Sequence, residues 1–92
     1  MKKIYIVEGR TGSYDDTHQW VVRAFPTKQE ADNFAAQCNS RADEICAILS
    51  KAGLRSYEWD DTALPNIFDP QMQLIDDYAA YVVAEIDWGP LE

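Results

Sequence analysis

Ninety-two residues carrying sixteen acidic side chains against eight basic ones, for a net charge of −8, describe one small acidic domain and not a nucleic-acid binder. Eleven aromatic residues and an apolar content of 47% exclude a disordered chain, and no apolar run is long enough to cross a membrane. The charge is unevenly laid: Met1 to Arg55 nets +1, whereas Ser56 to Glu92 holds nine carboxylates and no basic residue. Such a segment cannot neutralise itself with local ion pairs, so it projects a negative field that favours a basic partner.

The basic opening Met1-Lys2-Lys3 is followed by an apolar run that stops at Glu8, too short for an export signal, so a cytoplasmic protein is expected. Lys3 to Glu8 is rich in β-branched and aromatic residues and reads as a strand ended by Gly9. Gly9 to Gln19 has turn chemistry, and Trp20 to Phe25 reads as a second strand stopped by Pro26. The two form a hairpin with a long polar connection.

Thr27 and Glu30 have the spacing of a capping box. Behind them Ala31, Phe34, Ala35, Cys38, Ala42, Ile45, Leu49 and Ala52 recur at three- and four-residue steps, the stripe of an amphipathic helix over 28–52 closed by Gly53. Cys38 and Cys46 lie about 12 Å apart along such a helix, too far for a disulfide, and read as small apolar groups. The helix is longer than the strands. It therefore either breaks near Asn39-Ser40 or overhangs the sheet, with Leu54, Tyr57, Trp59, Leu64, Ile67 and Phe68 of the following loop, or the second subunit of a homodimer, as cover for the overhang. Residues 54–77 show no clean period. Ala80 to Trp88 alternates, with Ala80, Val82, Ala84, Ile86 and Trp88 expected on the buried face.

The predicted fold class is α+β, a ββαβ arrangement with a small, mainly antiparallel three-stranded sheet in the order 2-1-3 and one long helix packed on one face. The opposite face, with Tyr5, Val7, Val21, Tyr81 and Val83 as its expected apolar residues, is left either as a contact surface or as a seat for the 54–77 loop.

Motifs for chemistry are sparse. Gly9-Arg10-Thr11-Gly12 lacks both the helix start and the Lys-Ser/Thr pair of a phosphate loop. Asp15, Asp16 and His18 are the nearest approach to a metal site, but no cofactor or metal is expected from loop acids of this kind. The cysteines have no histidine near them in sequence, and no catalytic residue is predicted. The stronger pattern is aromatic residues ringed by carboxylates, which suits a protein interface in which aromatics supply affinity and charges steer. Tyr57, Glu58, Trp59, Asp60, Asp61, Phe68, Asp69, Asp76 and Asp77 are the predicted partner-binding residues.

The opening Tyr5-Ile6-Val7-Glu8-Gly9-Arg10-Thr11-Gly12, with Tyr14 and Trp20 after it, resembles the start of small proteins common in phages and prophages. Asp69-Pro70 and Tyr81-Val82-Val83 fit the same resemblance, which brings no catalytic residues. Size, acidity and layout are similar in kind to phage anti-CRISPR and other anti-defence inhibitors. That likeness implies a non-enzymatic inhibitor of a basic bacterial protein, such as a nucleic-acid-binding defence effector. An immunity protein or antitoxin that blocks a basic nuclease site, and a small metal-dependent enzyme, are the alternatives.

Overall fold

The structure, a computed structural model, describes residues 2–12, 17–75 and 78–88. Strand β1 (Lys2–Thr11) and strand β2 (His18–Phe25) form an antiparallel hairpin, and helix α1 (Lys28–Lys51) follows at once. A short 3-10 turn (Ser56–Glu58) opens the long segment that leads to strand β3 (Ala79–Trp88). The sheet order is β2-β1-β3, antiparallel throughout, so β1 is the central strand and the α+β arrangement is as expected. β1 runs three residues beyond its predicted end. Gly9 does not stop it, because Gly9 is opposite Trp20 and lies buried beneath the indole, where no other residue fits.

The helix begins as its sequence dictates. The Thr27 side chain accepts from the Glu30 amide at 3.2 Å, and Lys28 pairs with Asp32 one turn on. Ala31, Ala35, Cys38, Ala42, Ile45 and Leu49 are its buried stripe. The small residues at 31, 35 and 42 let the axis approach the sheet closely, while Ile45 and Leu49 fill a wider space farther on. At the C-terminus, Gly53 has φ +74°, its amide donates to the Ser50 carbonyl at 3.1 Å, and the Leu54 amide donates to the Leu49 carbonyl at 2.9 Å. Those two bonds are a Schellman cap.

The helix is unbroken across Asn39-Ser40. Asn39 has another use: its Nδ2 donates to the Tyr81 carbonyl at 3.0 Å and its Oδ1 accepts from the Tyr81 amide at 2.7 Å. One side-chain amide thus occupies a backbone site on the outer edge of β3, where a further strand would otherwise add. The second half of the helix is covered by the 54–75 segment, with Met72 and Leu74 buried and Trp59, Leu64 and Phe68 packed against the same core.

The facing of the strands differs from expectation. Val7, Thr11, Ala79 and Tyr81 are buried under the helix, with Tyr5 and Val83 packed beside them. Cross-strand partners share a face. Lys2 with Trp88, Ile4 with Ile86, Ile6 with Ala84 and Glu8 with Val82 therefore lie on the opposite face, bare of any described helix. The predicted assignment is inverted for β1 and β3, because both strands carry apolar groups on both sides. On β2 a register shift opposite Val7 and Glu8 lets Trp20, Val22, Arg23 and Phe25 all serve the helix side, while Val21 is 60% exposed opposite Glu8. The Arg23 guanidinium lies over the rings of Phe25 and Phe34, which touch each other at a centroid distance of 5.3 Å.

Candidate functional site

The residues from 54 to 75 are built from short hydrogen-bonded turns, each set by a particular side chain. In the first, the Glu58 and Trp59 amides donate to the Arg55 and Ser56 carbonyls, and the Arg55 amide donates to the Glu58 carboxylate at 3.3 Å. In the second, the Asp60 carboxylate accepts from both the amide (3.0 Å) and the hydroxyl (2.6 Å) of Thr62. These bonds hold the Asp60 carboxyl below its usual range, with the hydroxyl contact the larger cause, so it is fully ionised near neutrality. The Leu64 amide closes back on the Asp60 carbonyl at 2.9 Å, and the Trp59 indole donates to the Leu64 carbonyl at 2.8 Å. Trp59 is half-buried against the core, so the turn is fastened at its base.

What this fastened turn displays is one aromatic ring and three acids. Tyr57 is 84% exposed, and Glu58, Asp60 and Asp61 are exposed around it. Of the predicted partner-binding residues, these four are brought together at the surface. Trp59 and Phe68 are half-buried supports instead of free anchors, and Asp76 and Asp77 lie outside the described residues.

Asp69 requires a correction. It is 2% exposed, and no partner can reach it. Its Oδ2 accepts from the Trp20 indole and from the Tyr81 hydroxyl, both at 2.8 Å, and its Oδ1 accepts from the Gln71 amide at 3.1 Å. The carboxylate thus ties the loop to β2 and β3 together. Trp20 and Tyr81 meet edge to face across it, with centroids 6.1 Å apart. Burial, followed by the bond to Asp69, pushes the Tyr81 hydroxyl far above the ordinary tyrosine value of 10.0. Burial and the nearby Asp69 push the Cys38 thiol up to about 12, which suits an inert apolar group and not a nucleophile.

Asn66 organises the chain just before this carboxylate. Its Oδ1 accepts from the Phe68 and Asp69 amides, while its Nδ2 faces the Cys38 carbonyl and the Met72 sulfur. Arg41 reaches from the helix to the Pro65 carbonyl at 3.0 Å and pairs with Glu44. Thr11, at the end of β1, accepts from the Ile75 amide at 2.7 Å and presents its proton to the Ile75 and Tyr78 carbonyls. Every one of these residues positions the segment. The local signal for them is turn chemistry: Pro65-Asn66 and Asp69-Pro70 are turn dipeptides whose side chains bond the backbone two or three residues on.

The remaining acids of the 56–88 region lie elsewhere. Glu85 faces Lys3, 3.3 Å away, and also accepts from Tyr5; that contact and the neighbouring Asp87 raise the Lys3 pKa. Among the described residues no three His, Cys, Asp or Glu side chains cluster as a metal would need. His18 opens β2 in an exposed position opposite Thr11, and Asp15 and Asp16 lie outside the described residues. A groove of about 500 Å³ runs beside the helix C-terminus between Leu49, Leu54 and Leu74, with Arg55 at its rim. Among the described residues no helix is long and apolar enough to cross a membrane. Comparison of the chain with family models, with curated proteins and with solved structures finds no match in any of the three.

Proposed function

We propose that this protein is a non-enzymatic binding module that docks on a basic protein surface through the turn bearing Tyr57, Glu58, Asp60 and Asp61. The observation that carries the reading is a Tyr57 ring 84% exposed, with the exposed acids Glu58, Asp60 and Asp61 close to it in sequence, on turns whose own hydrogen bonds hold their shape. A rigid aromatic buries large area at low entropic cost, and a preorganised turn pays little for ordering on binding. The acids contribute on-rate and choice of partner more than affinity. A bacterial protein whose surface is shaped for a nucleic-acid backbone is the partner class that such a turn fits, and occupying that surface would make the module an inhibitor. The likeness in kind to phage anti-defence proteins supports this reading of its role.

The test is affinity capture from bacterial lysate with the wild-type chain, with a triple variant Glu58→Lys/Asp60→Lys/Asp61→Lys and with Tyr57→Ala. Capture of a basic protein that fades at high salt and is lost in both variants is the expected result. A partner retained equally by the triple variant would overturn the electrostatic part of the proposal.

A further inference from the structure

We infer that the bare face of the sheet is the seat of a second copy of this chain, two molecules packing sheet on sheet into a six-stranded sandwich. The face shares no residue with the Tyr57 turn. Its centre is the row Ala24, Ile6 and Ala84, flanked by Val82, Ile86 and Val21. Ile6 between two alanines, with branched groups on the neighbouring rows, gives a relief on which two sheets can pack at about 10 Å, the ordinary spacing of a β-sandwich. Trp88, 60% exposed, closes one end of the face opposite Lys2.

Charge segregation identifies the occupant. A chain of net charge −8 meets its own copy only across a surface from which acids have been removed. β3 belongs to the segment that has no basic residue, yet its two acids, Glu85 and Asp87, pair with Tyr5 and Lys3 and so lie on the helix side. The bare face keeps one described carboxylate, Glu8, which is bridged to Arg10 at 3.6 Å on the same face, with Lys2 at the far end. This is the part of the sheet where two negatively charged molecules have least to repel them. A basic partner of the kind that suits the Tyr57 turn finds no complementary charge here.

Area sets the strength. Three strands about 4.8 Å apart and up to ten residues long present roughly 420 Å² in projection, or about 850 Å² for two copies before side-chain relief is counted. That falls below the roughly 1,200 Å² at which standard specific interfaces begin, so the dimer should be weak, with a dissociation constant of about 1–100 μM.

Sedimentation equilibrium across that concentration range is the test, with folding checked by circular dichroism. Twice the monomer mass at the upper concentrations is expected, with tighter association at higher salt as screening relieves like-charge repulsion. Ile6→Lys should weaken the dimer about a hundredfold by burying an unpaired ammonium, whereas the Glu58→Lys/Asp60→Lys/Asp61→Lys variant should still dimerise. Should Ile6→Lys fail to fold, Trp88→Ala and Val21→Thr, at exposed sites, serve instead, and each should weaken association. A wild-type chain that stays monomeric throughout overturns the inference. So does a dimer untouched by the face variants, and so does a monomer whose face variants lose a different protein.

Discussion

Removing the Asp69 carboxylate would strand the buried Tyr81 hydroxyl and the half-buried Trp20 indole together. Because buried donors without acceptors cost more than the bonds themselves contribute, Asp69→Ala should lose roughly 3–4 kcal/mol, and Tyr81→Phe about 1–2 kcal/mol. Urea denaturation followed by circular dichroism measures both; midpoints equal to wild type would mean the carboxylate is not the tie it looks to be. Gly9→Ala acts on the same cluster from below. A Cβ there would meet the Trp20 ring at 2.3 Å, and the ring is pinned by Asp69 and Tyr81, so it cannot simply swing aside. A loss of roughly 2 kcal/mol and a shift in tryptophan emission are expected. Alkaline pH probes the cluster without mutation. Cys38 and Tyr81 both have folded pKa values above their ordinary 9.0 and 10.0, so the stability they contribute is intact below about pH 9. Above that, the unfolded chain loses protons that the folded chain keeps, and stability falls as pH rises toward about 12. Cys38→Ala should flatten the fall, as read from denaturation midpoints at pH 8 to 11; an unchanged slope would exclude the thiol as its source. The burial of Cys38 was legible in the sequence, but the tie through Asp69 was not. An aspartate among aromatics reads as a surface acid, and the two donors that claim it stand 49 and 12 residues away.

Among the elements, the helix was the most readable, because a stripe at three- and four-residue steps has one physical meaning and needs no distant partner. Its end is a position that only glycine suits. Gly53→Ala meets open space, so its cost is the positive φ alone, about 1 kcal/mol, and the helix signal in circular dichroism should persist while the melting temperature falls. All three strands were located, but β1 and β3 were faced wrongly, whereas Val21 of β2 lies on the expected face. Alternation in β3 sets Ala80, Val82, Ala84, Ile86 and Trp88 against Tyr81, Val83, Glu85 and Asp87; the first set is the more apolar, so the pattern pointed to the wrong face. Contacts from outside the strand decide it: Tyr81 is held by Asn39 through its backbone and by Asp69 through its hydroxyl. The Asn39 clamp blunts one exposed edge, and Asn39→Leu should leave the helix intact while raising the rate of aggregation measured by light scattering. Equal scattering from both proteins would show that the edge needs no such guard.

At the scale of the whole molecule, the shape is a long thin slab of 55 × 27 × 17 Å. Its thinness follows from two layers with no third among the described residues, and the 24-residue helix and the ten-residue strands β1 and β3 are of similar length, about 36 and 33 Å. Among the described residues, the charge asymmetry that dominates the sequence is not one continuous patch in space. Asp69 is interior, Glu85 is answered by Lys3, and Glu58, Asp60 and Asp61 gather at the fastened turn. Composition could specify the total charge but not its placement, since placement depends on which carboxylates the fold consumes. The excess negative charge still repels itself in the folded state, so the melting temperature should rise between about 10 mM and 0.5 M sodium chloride; a fall would mean that ion pairs such as Lys3–Glu85 outweigh the repulsion.

The position of β1 between β2 and β3 bears on how the chain is made. A ribosome delivers the hairpin and the whole helix long before Ala79 emerges, so the central strand waits with one flank unsatisfied while some seventy residues are synthesised. Ile4, Ile6 and Val7 are open to off-pathway partners for all of that interval. Folding of this domain is therefore completed from its far end, and its slowest step should be the late closure of β3 on β1.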